Sequence, residues 1–219
     1  MNPITEQLIQ KSNGLLSIKP EINDWTGKSF SMFNTGSVEV ETAEVLYGLT
    51  RLIKPKKILD TGSHFGVSAL YMALACQHND LGRVLSVEHD GFYAEKAVEL
   101  WRTCGVSSNV SLYNGSSLEL DTKDTYELML LDTEPQIRFA ELVKFYNQLA
   151  PGGFVFIHDL HRHMSQEDNK EHGFGHPFGK LPQEIIDWVR SVELAPWHFP
   201  TPRGFVGFYK TDQRDYKWL

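Results

Sequence analysis

Cysteine is scarce in this 219-residue sequence, which contains only Cys76 and Cys104. Each lies in an apolar segment with helical spacing, where a free thiol packs as a small hydrophobic side chain. We therefore predict two buried thiols rather than a disulfide, as expected for a protein of a reducing compartment.

Positive charge and long apolar runs are also in short supply. The chain has 21 Lys and Arg residues against 28 Asp and Glu residues, a net charge of −7. This acidic balance argues against a general binder of nucleic-acid phosphates and favours a small-molecule substrate. No stretch reaches the roughly 18 apolar residues of a membrane span, and the N-terminal residues lack the features of a secretory leader. We predict a cytoplasmic protein without a membrane anchor.

A third glycine is missing from the most informative stretch of the chain, Asp60-Thr-Gly62-Ser63-His-Phe-Gly66-Val-Ser68. The apolar residues around it predict a buried strand, a glycine turn and a helix, which would aim backbone N–H groups at a ligand. Gly62 would allow the turn, and Gly66 would let the backbone approach a ligand or the adjacent strand. Ser68 would cap the helix or contact the ligand. Because the nicotinamide fingerprint needs three glycines as G-x-G-x-x-G, the pair found here weighs against a nicotinamide cofactor.

Strand and helix patterns alternate through most of the chain. After a helix at 38–53, the predicted strands lie at 83–88, 110–113, 128–131 and 154–157, and the predicted helices between them lie at 92–104 and 137–149. Strands this uniformly apolar are buried on both faces, and the helices between them imply right-handed parallel crossovers. The predicted fold class is α/β, a doubly wound Rossmann-like sheet, mostly parallel, with helices on both faces and ligands at the carboxyl ends of its strands.

The N-terminal residues depart from this alternation. Residues 1–35 begin with a short amphipathic segment and predict a helical or irregular appendage to one large domain at 36–219. The apolar residues Phe30, Met32 and Phe33 near the end of the appendage predict either a homodimer surface or ordinary core.

The C-terminal part departs from it as well. Residues 160–180 mix glycines with histidines and charges, and a loop of this length in a compact domain is a candidate lid over a functional site. A helix at 181–189 and strands at 192–194 and 205–209 follow, which predicts a C-terminal antiparallel hairpin.

If the strand before the glycine turn is counted as the first, polar residues end the second and the third. Glu88 follows Gly66 by 22 positions, where a carboxylate can accept hydrogen bonds from both hydroxyls of a ribose; the alternative is a solvated strand-end acid. Asn114-Gly115-Ser116-Ser117 offers small polar residues that either surround an adenine ring or form an ordinary turn.

Two aspartates end the next two strands, Asp132 the fourth and Asp159 the fifth. Carboxylates at the ends of adjacent buried strands would lie close enough to share a divalent cation, and their oxygens suit Mg²⁺ or Ca²⁺. Without a cation, their mutual repulsion would raise the pKa of one of them. Strand alternation places His158 and Asp159 on opposite sides, which leaves His158 facing the core.

Five short motifs follow one another between residues 36 and 159: Gly-Ser-Val-Glu-Val-Glu-Thr-Ala, the glycine turn, Ser-Val-Glu88-His89-Asp, Leu-Leu-Asp132 and Pro-Gly-Gly-Phe-Val-Phe-Ile-His-Asp159. Together they resemble class I S-adenosylmethionine-dependent O-methyltransferases, both the catechol and caffeoyl-CoA type and related bacterial enzymes acting on natural products and sugars. The resemblance implies that S-adenosylmethionine contacts Asp60, Gly62, Gly66, Ser68, Glu88 and Ser116. Four adjoining residues complete the expected cofactor site: Ser63, His89, Gly115 and Asp132. The resemblance also implies that Asp132 and Asp159 hold a divalent metal, with Mg²⁺ expected.

The resemblance is incomplete in two places. The catechol-type family has an asparagine directly after the second metal aspartate, where this chain has Leu160, and a lysine base soon after the first, where it has residues 133–135, Thr-Glu-Pro. Histidine can serve as a metal ligand or as a proton acceptor near neutral pH. His161, two positions after Asp159, is therefore the candidate base or additional ligand, with an exposed loop residue as the alternative.

These observations predict a methyltransferase that moves the methyl group of S-adenosylmethionine to a hydroxyl of a small polar acceptor. The in-line displacement needs oxygen, carbon and sulfur in a near-attack line, and a base or a metal must act on the hydroxyl proton. Asp159 and His161 are the candidate catalytic residues. A metal-free methyltransferase using a His and Asp site and a cofactor-binding protein without catalysis remain the alternatives.

Overall fold

The computed structural model of the chain describes residues 2–23, 27–159, 183–192, 194–199, 201 and 203–212. The helices among them are α1 (Pro3–Lys11), α2 (Val40–Ile53), α3 (Val67–His78), α4 (Gly91–Cys104), α5 (Pro135–Phe145) and α6 (Gln183–Ser191). The strands are β1 (Ile18–Ile22), β2 (Ser29–Phe33), β3 (Lys57–Thr61), β4 (Arg83–Glu88), β5 (Val110–Asn114), β6 (Tyr126–Leu131), β7 (Leu149–His158), β8 (Leu194–Phe199) and β9 (Phe205–Lys210).

A seven-stranded sheet forms the centre of the fold, in the order β5-β4-β3-β6-β7-β9-β8. The strands from β5 to β7 in this order pair in parallel, whereas β9 pairs antiparallel with both β7 and β8. The predicted doubly wound sheet with a C-terminal antiparallel hairpin is confirmed. Chain order reverses between β3 and β6, so the carboxyl ends of these two strands form the switch point where such sheets bind ligands.

Apolar residues of the central strands alternate between the two faces of the sheet. Ile58 and Phe156 pack with residues of α1, α2, α3 and α4 on one face. Leu59 and Ile157 pack with residues of α5 and α6 on the other. The strands are therefore buried on both faces, as their uniformly apolar sequences predict.

Helix α3 follows the glycine turn and is buried from Val67 to Cys76. Cys76 and Cys104 are free and buried, as predicted, and burial raises the pKa of both thiols to about 11. Within the described residues, no helix combines the length and apolar character that a membrane crossing requires.

The first 35 residues contain more regular structure than the sequence predicts. The amphipathic segment forms α1, but β1 and β2 also pair as a separate two-stranded antiparallel sheet. This hairpin escaped prediction because β1 carries Pro20 and shows no regular alternation of buried residues. Phe30, Met32 and Phe33 are buried in this chain, which favours the ordinary-core interpretation of these residues.

Two strands near the C-terminus also differ from their predicted bounds. β7 begins at Leu149, earlier than predicted, and its pairing with β6 shifts register between Tyr126 and Leu128. Such an irregularity accommodates the Pro-Gly-Gly sequence that resembles a turn. β8 covers Leu194–Phe199 rather than 192–194, and it lies at the edge of the sheet, the position at which strands tolerate proline.

Candidate active site

The turn between β3 and α3 begins at Gly62, whose φ of +79° lies in the left-handed region that favours glycine. A Cβ at this position would lie 2.2 Å from the backbone oxygen of Asp132, so the end of β6 leaves no room for a side chain. The N–H groups of Gly62 and Ser63 both donate to the Val87 carbonyl oxygen, each at 3.0 Å. The turn is therefore fixed against the ends of β4 and β6, at the switch point of the sheet.

Gly66 ends the turn and faces a helix rather than a ligand or a strand. A Cβ here would lie 2.6 Å from the indole nitrogen of Trp101, which donates a hydrogen bond to the Gly66 carbonyl oxygen at 2.8 Å. Trp101 belongs to α4, so this glycine allows α4 to approach the turn closely.

Asp60 lies beneath the turn at a fully buried position on β3. Its carboxyl group accepts hydrogen bonds from the hydroxyls of Ser68 at 3.0 Å and Ser86 at 2.6 Å. Burial raises the pKa of Asp60 to about 7, although both hydroxyls oppose the rise. Gly66 occupies the N-cap position of α3. The Ser68 hydroxyl therefore donates to Asp60 instead of capping the helix.

A cavity of about 420 Å³ opens over the switch point, within the size range of ligand sites. We call the part beside β4 and β5 the β4 end, which is lined by Glu88, His89, Gly115, Ser116 and Ser117. We call the part beside β6 and β7 the β7 end, which is lined by Gly36, Ser37, Val38, Asp132, Thr133, Arg138, Asp159 and Arg203. The turn residues between the two ends are Gly62, Ser63 and His64.

Most of the predicted cofactor residues line this cavity. They are Gly62, Ser63, Ser68, Glu88, His89, Gly115, Ser116 and Asp132. Asp60 and Gly66 do not line it, and they act on the turn from below and from the α4 side.

Glu88 is held at the β4 end by backbone donors. Its two carboxylate oxygens accept hydrogen bonds from the N–H groups of His64 at 2.7 Å and Asp90 at 2.9 Å. The His89 ring lies 3.3 Å from the same carboxylate. Because an ionised carboxylate offers about four lone-pair sites, Glu88 keeps the capacity to accept hydrogen bonds from a ligand.

The loop after β5 is tied to the end of β4. The Gly115 N–H and the Asn114 side chain donate to the Glu88 carbonyl oxygen at 2.9 and 2.8 Å. Ser116 accepts a hydrogen bond from the Leu118 N–H at 3.3 Å, as a turn residue does, and it also lines the cavity. The turn and the ligand contact predicted as alternatives for this loop are therefore compatible.

His158 joins two carboxylates at the β7 end. Its Nδ1 lies 3.1 Å from both carboxylate oxygens of Asp132, and its Nε2 lies 2.7 Å from Glu39. Although burial opposes the charged imidazole, Asp132 and Glu39 raise the pKa of His158 to about 10. The pKa of Glu39 is in turn lowered to about 2, against the effect of its own burial, chiefly by His158. The ring is therefore an imidazolium that donates from both nitrogens.

Arg203 connects the segment between β8 and β9 to the same cluster. Its guanidinium donates to Asp159 Oδ2 at 2.6 Å and to the Ser37 carbonyl oxygen at 2.5 Å. Its backbone N–H donates to Glu39 at 2.9 Å. The segment between β8 and β9 thus contacts the residue after β7, the loop before α2, and the residue that precedes α2.

Arg138, in the first turn of α5, is the second arginine of the cluster. It donates to the His158 carbonyl oxygen at 2.7 Å and lies 3.5 Å from Asp132 and 3.8 Å from Asp159. Burial alone would raise the pKa of Asp159, but Arg203, His158 and Arg138 hold it below its ordinary value. The second oxygen of this carboxylate, Oδ1, is buried and has no hydrogen-bond partner in the described part of the chain.

His158 and Asp159 lie in one cluster, which corrects the prediction that strand alternation separates them. Asp159 follows the last residue of β7 with a φ of +62°, so the chain has already left extended geometry at this residue. Ligand atoms of Asp132, His158 and Asp159 consequently lie within 4.8 Å of one another.

Three residues of this cluster were not predicted as site residues, namely Glu39, Arg138 and Arg203. They come from three separate segments, and no local motif connects them. Two signals were available for Glu39: it belongs to the motif Gly-Ser-Val-Glu-Val-Glu-Thr-Ala, and a charged residue between two valines indicates a buried partner. The predicted base His161 and the predicted lid at 160–180 lie outside the described residues.

The donor set of the β7 end does not fit the implied divalent metal, although its ligand atoms lie close together. The cluster holds three carboxylates and three cationic side chains, so its charges already balance. Both nitrogens of His158 donate to carboxylates and offer no lone pair to a metal. The guanidinium group of Arg138 lies within 4 Å of both aspartates, and that of Arg203 lies within 4 Å of Asp159. Both groups would repel a cation. We derive no step through a metal at this site.

Comparison with protein families finds a match over residues 59–160, to a family described as a methyltransferase domain. The matched segment runs from within β3 to just past β7. It contains the glycine turn, Glu88, Asp132 and Asp159.

Curated relatives cover overlapping parts of the chain. The mouse (Mus musculus) catechol O-methyltransferase domain-containing protein 1 is 31% identical over 124 residues, which are 53% of this chain and 47% of the mouse protein. The probable caffeoyl-CoA O-methyltransferase 1 of Dictyostelium discoideum is 22% identical over 169 residues, which are 74% of this chain and 72% of that protein. The chain thus spans about half the length of the mouse relative.

Solved structures share the fold at low sequence identity. The O-methyltransferase TomG from Streptomyces achromogenes, in complex with S-adenosylmethionine, has a TM-score of 0.60 and 18% identity, covering 80% of this chain and 82% of that one. A putative O-methyltransferase from Klebsiella pneumoniae has a TM-score of 0.63 and 16% identity, covering 97% and 91%. Together with the family match and the relatives, these structures confirm the predicted resemblance to class I S-adenosylmethionine-dependent O-methyltransferases.

Proposed function

We propose that this chain, whose residues 59–160 match a methyltransferase domain, transfers the methyl group of S-adenosylmethionine to a hydroxyl of a small polar acceptor. One observation carries the proposal. A single cavity joins Glu88 at the β4 end to Asp159 at the β7 end, with the glycine turn between them. Cofactor and acceptor would meet over this turn.

The β4 end fits the adenosine part of the cofactor. Glu88 would accept hydrogen bonds from the ribose hydroxyls, and Gly115 and Ser116 would border the adenine ring. Ser63 lines the cavity, and its buried hydroxyl has no hydrogen-bond partner within the described residues. An unpaired buried polar group costs about 1–3 kcal/mol, and a polar group of the cofactor would remove that cost.

The β7 end fits a hydroxyl-bearing acceptor. Asp159 lines the cavity, and its buried Oδ1 has no hydrogen-bond partner within the described residues, so we infer that it accepts a hydrogen bond from the acceptor hydroxyl. Because neighbouring cations lower the pKa of Asp159, this carboxylate is suited to orienting the hydroxyl rather than to removing its proton. Bound S-adenosylmethionine supplies an electrophilic methyl group with a thioether leaving group, and the residues of the chain align the attacking oxygen with it.

The charge-balanced cluster at the β7 end includes both aspartates for which the resemblance to the catechol-type family implies a metal. His158, Arg138 and Arg203 hold Asp132 and Asp159 in fixed positions by ion pairs and hydrogen bonds. We therefore infer a metal-independent transfer, in which positioning supplies most of the catalysis.

Calorimetric titration of S-adenosylmethionine tests the proposal, with wild type, Glu88→Gln, Glu88→Ala and the control Glu95→Ala. Glu95 is exposed on α4 and does not line the cavity, so its removal tests the charge change alone. We expect binding that weakens about tenfold or more in Glu88→Ala, the loss of charge-assisted hydrogen bonds worth roughly 1.5–3 kcal/mol. Glu88→Gln should fall between Glu88→Ala and the unaffected control.

Absence of binding to the wild-type chain would rule out the methyltransferase function. Binding without transfer of labelled methyl groups to phenols, catechols or sugars would instead support the cofactor-binding protein without catalysis.

A further inference from the structure

We propose that His64, in the middle of the glycine turn, accepts the proton of the acceptor hydroxyl during methyl transfer. The inference rests on the proposed function and assigns the base that Asp159 is unsuited to provide. No sequence motif identifies this histidine as a base. Its position in the fold does identify it.

His64 reaches both ends of the cavity. Its backbone N–H donates to Glu88 at 2.7 Å, at the β4 end. Its ring nitrogen Nδ1 lies 3.5 Å from the hydroxyl of Ser37, which lines the β7 end. A methyl group that passes from cofactor to acceptor crosses the region between these ends, and the hydroxyl proton is released there.

The backbone at His64 is held in an unusual conformation. Its φ of +48° lies in the left-handed region, which is unfavourable for a residue with a side chain. Such conformations concentrate at sites where the surrounding structure imposes them for function. Here the flanking Gly62 and Gly66 fix the turn, and His64 lines the cavity.

Aromatic contacts fix the imidazole ring. Its centroid lies 4.2 Å from that of Tyr93 and 4.7 Å from that of Phe65. Burial lowers the pKa of His64; Glu88, Asp132 and Asp90 oppose this effect, and Arg203 reinforces it. The ring is therefore neutral near pH 7 and able to accept a proton.

The neighbouring hydroxyls define the tautomer that the step requires. The Ser37 hydroxyl lies 3.5 Å from Nδ1 of His64 and 2.9 Å from the Thr35 hydroxyl. If Nδ1–H donates to Ser37 and the Ser37 hydroxyl donates to Thr35, the lone pair of Nε2 stays available. Nε2 has no hydrogen-bond partner in the described part of the chain. Ser37 is then a positioning residue for His64.

Other titratable groups in or beside the cavity are less suited to this step. Asp159 lines the cavity but has a lowered pKa. His158, which does not line the cavity, is already protonated and engaged at both nitrogens. The His89 ring lies 3.3 Å from Glu88 at the β4 end, where the cofactor ribose is expected.

The hydroxyl oxygen forms a bond to the methyl carbon while the carbon–sulfur bond breaks, and that electron pair remains on sulfur as a neutral thioether. The hydroxyl proton moves to Nε2 of His64, and the resulting imidazolium releases it to solvent after the products leave.

Kinetics of His64→Asn test the proposal, because asparagine tolerates a positive φ and keeps the backbone N–H bonded to Glu88. With 3,4-dihydroxybenzoate as the test acceptor, we expect kcat to fall by about 10²–10⁴-fold while S-adenosylmethionine affinity changes by less than about threefold. The rise of kcat/KM with pH through the His64 pKa should vanish. His78→Asn is the control, because His78 lies at the end of α3, bonded to Tyr47 at 2.8 Å and outside the cavity.

A kcat near the wild-type value in His64→Asn would overturn the proposal, and so would a loss of cofactor affinity that parallels the loss of kcat. NMR of the ¹⁵N-labelled protein with S-adenosylhomocysteine supplies a second test that needs no turnover, with His64→Asn providing the assignment. We expect the Nδ1–H tautomer and a pKa below the ordinary value of 6.5. The Nε2–H tautomer, or a pKa above that value, would contradict the assignment. Failure of the proposed function itself would appear differently, as an absence of S-adenosylhomocysteine binding.

Discussion

The two ends of the cavity are built in different ways. At the β4 end, Glu88 is held by the backbone N–H groups of residues 2 and 24 positions away. At the β7 end, His158 pairs with Glu39 across 119 positions, and Arg203 reaches Glu39 across 164. A short glycine motif can organise backbone donors on its own, whereas balancing buried charges needs side chains from the whole fold. The β7 end should therefore be more sensitive to the loss of a single side chain than the β4 end.

The largest effect should follow from His158→Gln, which leaves Glu39 and Asp132 without the cation between them. Removing one partner of a buried ion pair typically costs about 3–5 kcal/mol, and urea denaturation would measure the loss of unfolding free energy. His78→Gln is the control, because His78 is exposed at the C-terminal end of α3. It should change the unfolding free energy by no more than about 0.5 kcal/mol. A loss of stability in His158→Gln as small as that of the control would show that the cluster contributes little.

A somewhat smaller effect is expected from Gly62→Ala, in the turn between the two ends. The variant must adopt φ of +79° and place its Cβ 2.2 Å from a backbone oxygen, at an expected cost of about 2–4 kcal/mol. Gly105→Ala is the matched control, because Gly105 has φ of +77° but no atom within 4 Å of the added Cβ. It should lose only about 1–2 kcal/mol. Equal losses in the two variants, measured by thermal denaturation, would mean that the turn moves to admit a methyl group.

The pH dependence of stability sharpens the contrast. The pKa of His158 is raised from 6.5 to about 10 in the folded chain, so its contribution is fully present below about pH 6.5 and is lost as pH rises through about 10. Between these limits the unfolding free energy should fall by roughly 1.4 kcal/mol per pH unit. Measurement from pH 7.5 to 8.5 lies above the Asp60 pKa of about 7 and below the thiol pKa values.

His158→Gln should lose this slope, which distinguishes the His158 contribution from general alkaline destabilisation. Identical slopes in the variant and the wild type would assign the alkaline loss to other groups.

The smallest effect is expected from metal removal. S-adenosylmethionine affinity and methyl transfer should change by less than about twofold after treatment with EDTA, because arginines and an imidazolium already neutralise the aspartates. Titration with Mn²⁺ followed by electron paramagnetic resonance should show no site that depends on Asp159. Tight Mn²⁺ binding to the wild-type chain but not to Asp159→Asn would restore the metal site that the resemblance implies.

The fold and the β4 end could be predicted from sequence because their signals are local. Uniformly apolar strands, the positions of Gly62 and Gly66, and the acid at the end of β4 each depend on residues that lie close together in the chain. A motif shows that residues gather at a turn but not which way each one faces, and here Asp60 is buried beneath the turn while Gly66 faces α4.

The β7 end could be predicted only in part. Asp132 and Asp159 are visible as strand-end carboxylates, but their arginine partners have no sequence signature. The separation of His158 from Asp159 was wrong, because alternation assumes extended geometry and Asp159 has a positive φ. Both failures arise from tertiary structure, which brings distant charges together and bends the chain after the strand.

The contact between Glu39 and Arg203 also sets an order of events during synthesis. Glu39 leaves the ribosome before its partner Arg203, which lies 164 positions later in the chain. Residues of the glycine turn, α3 and β4 can pack together before that point, since all precede β5. The acceptor side of the cavity cannot be completed until the segment before β9 has been made. A nascent chain would therefore form the β4 end first and complete the β7 end only after the segment before β9 has emerged.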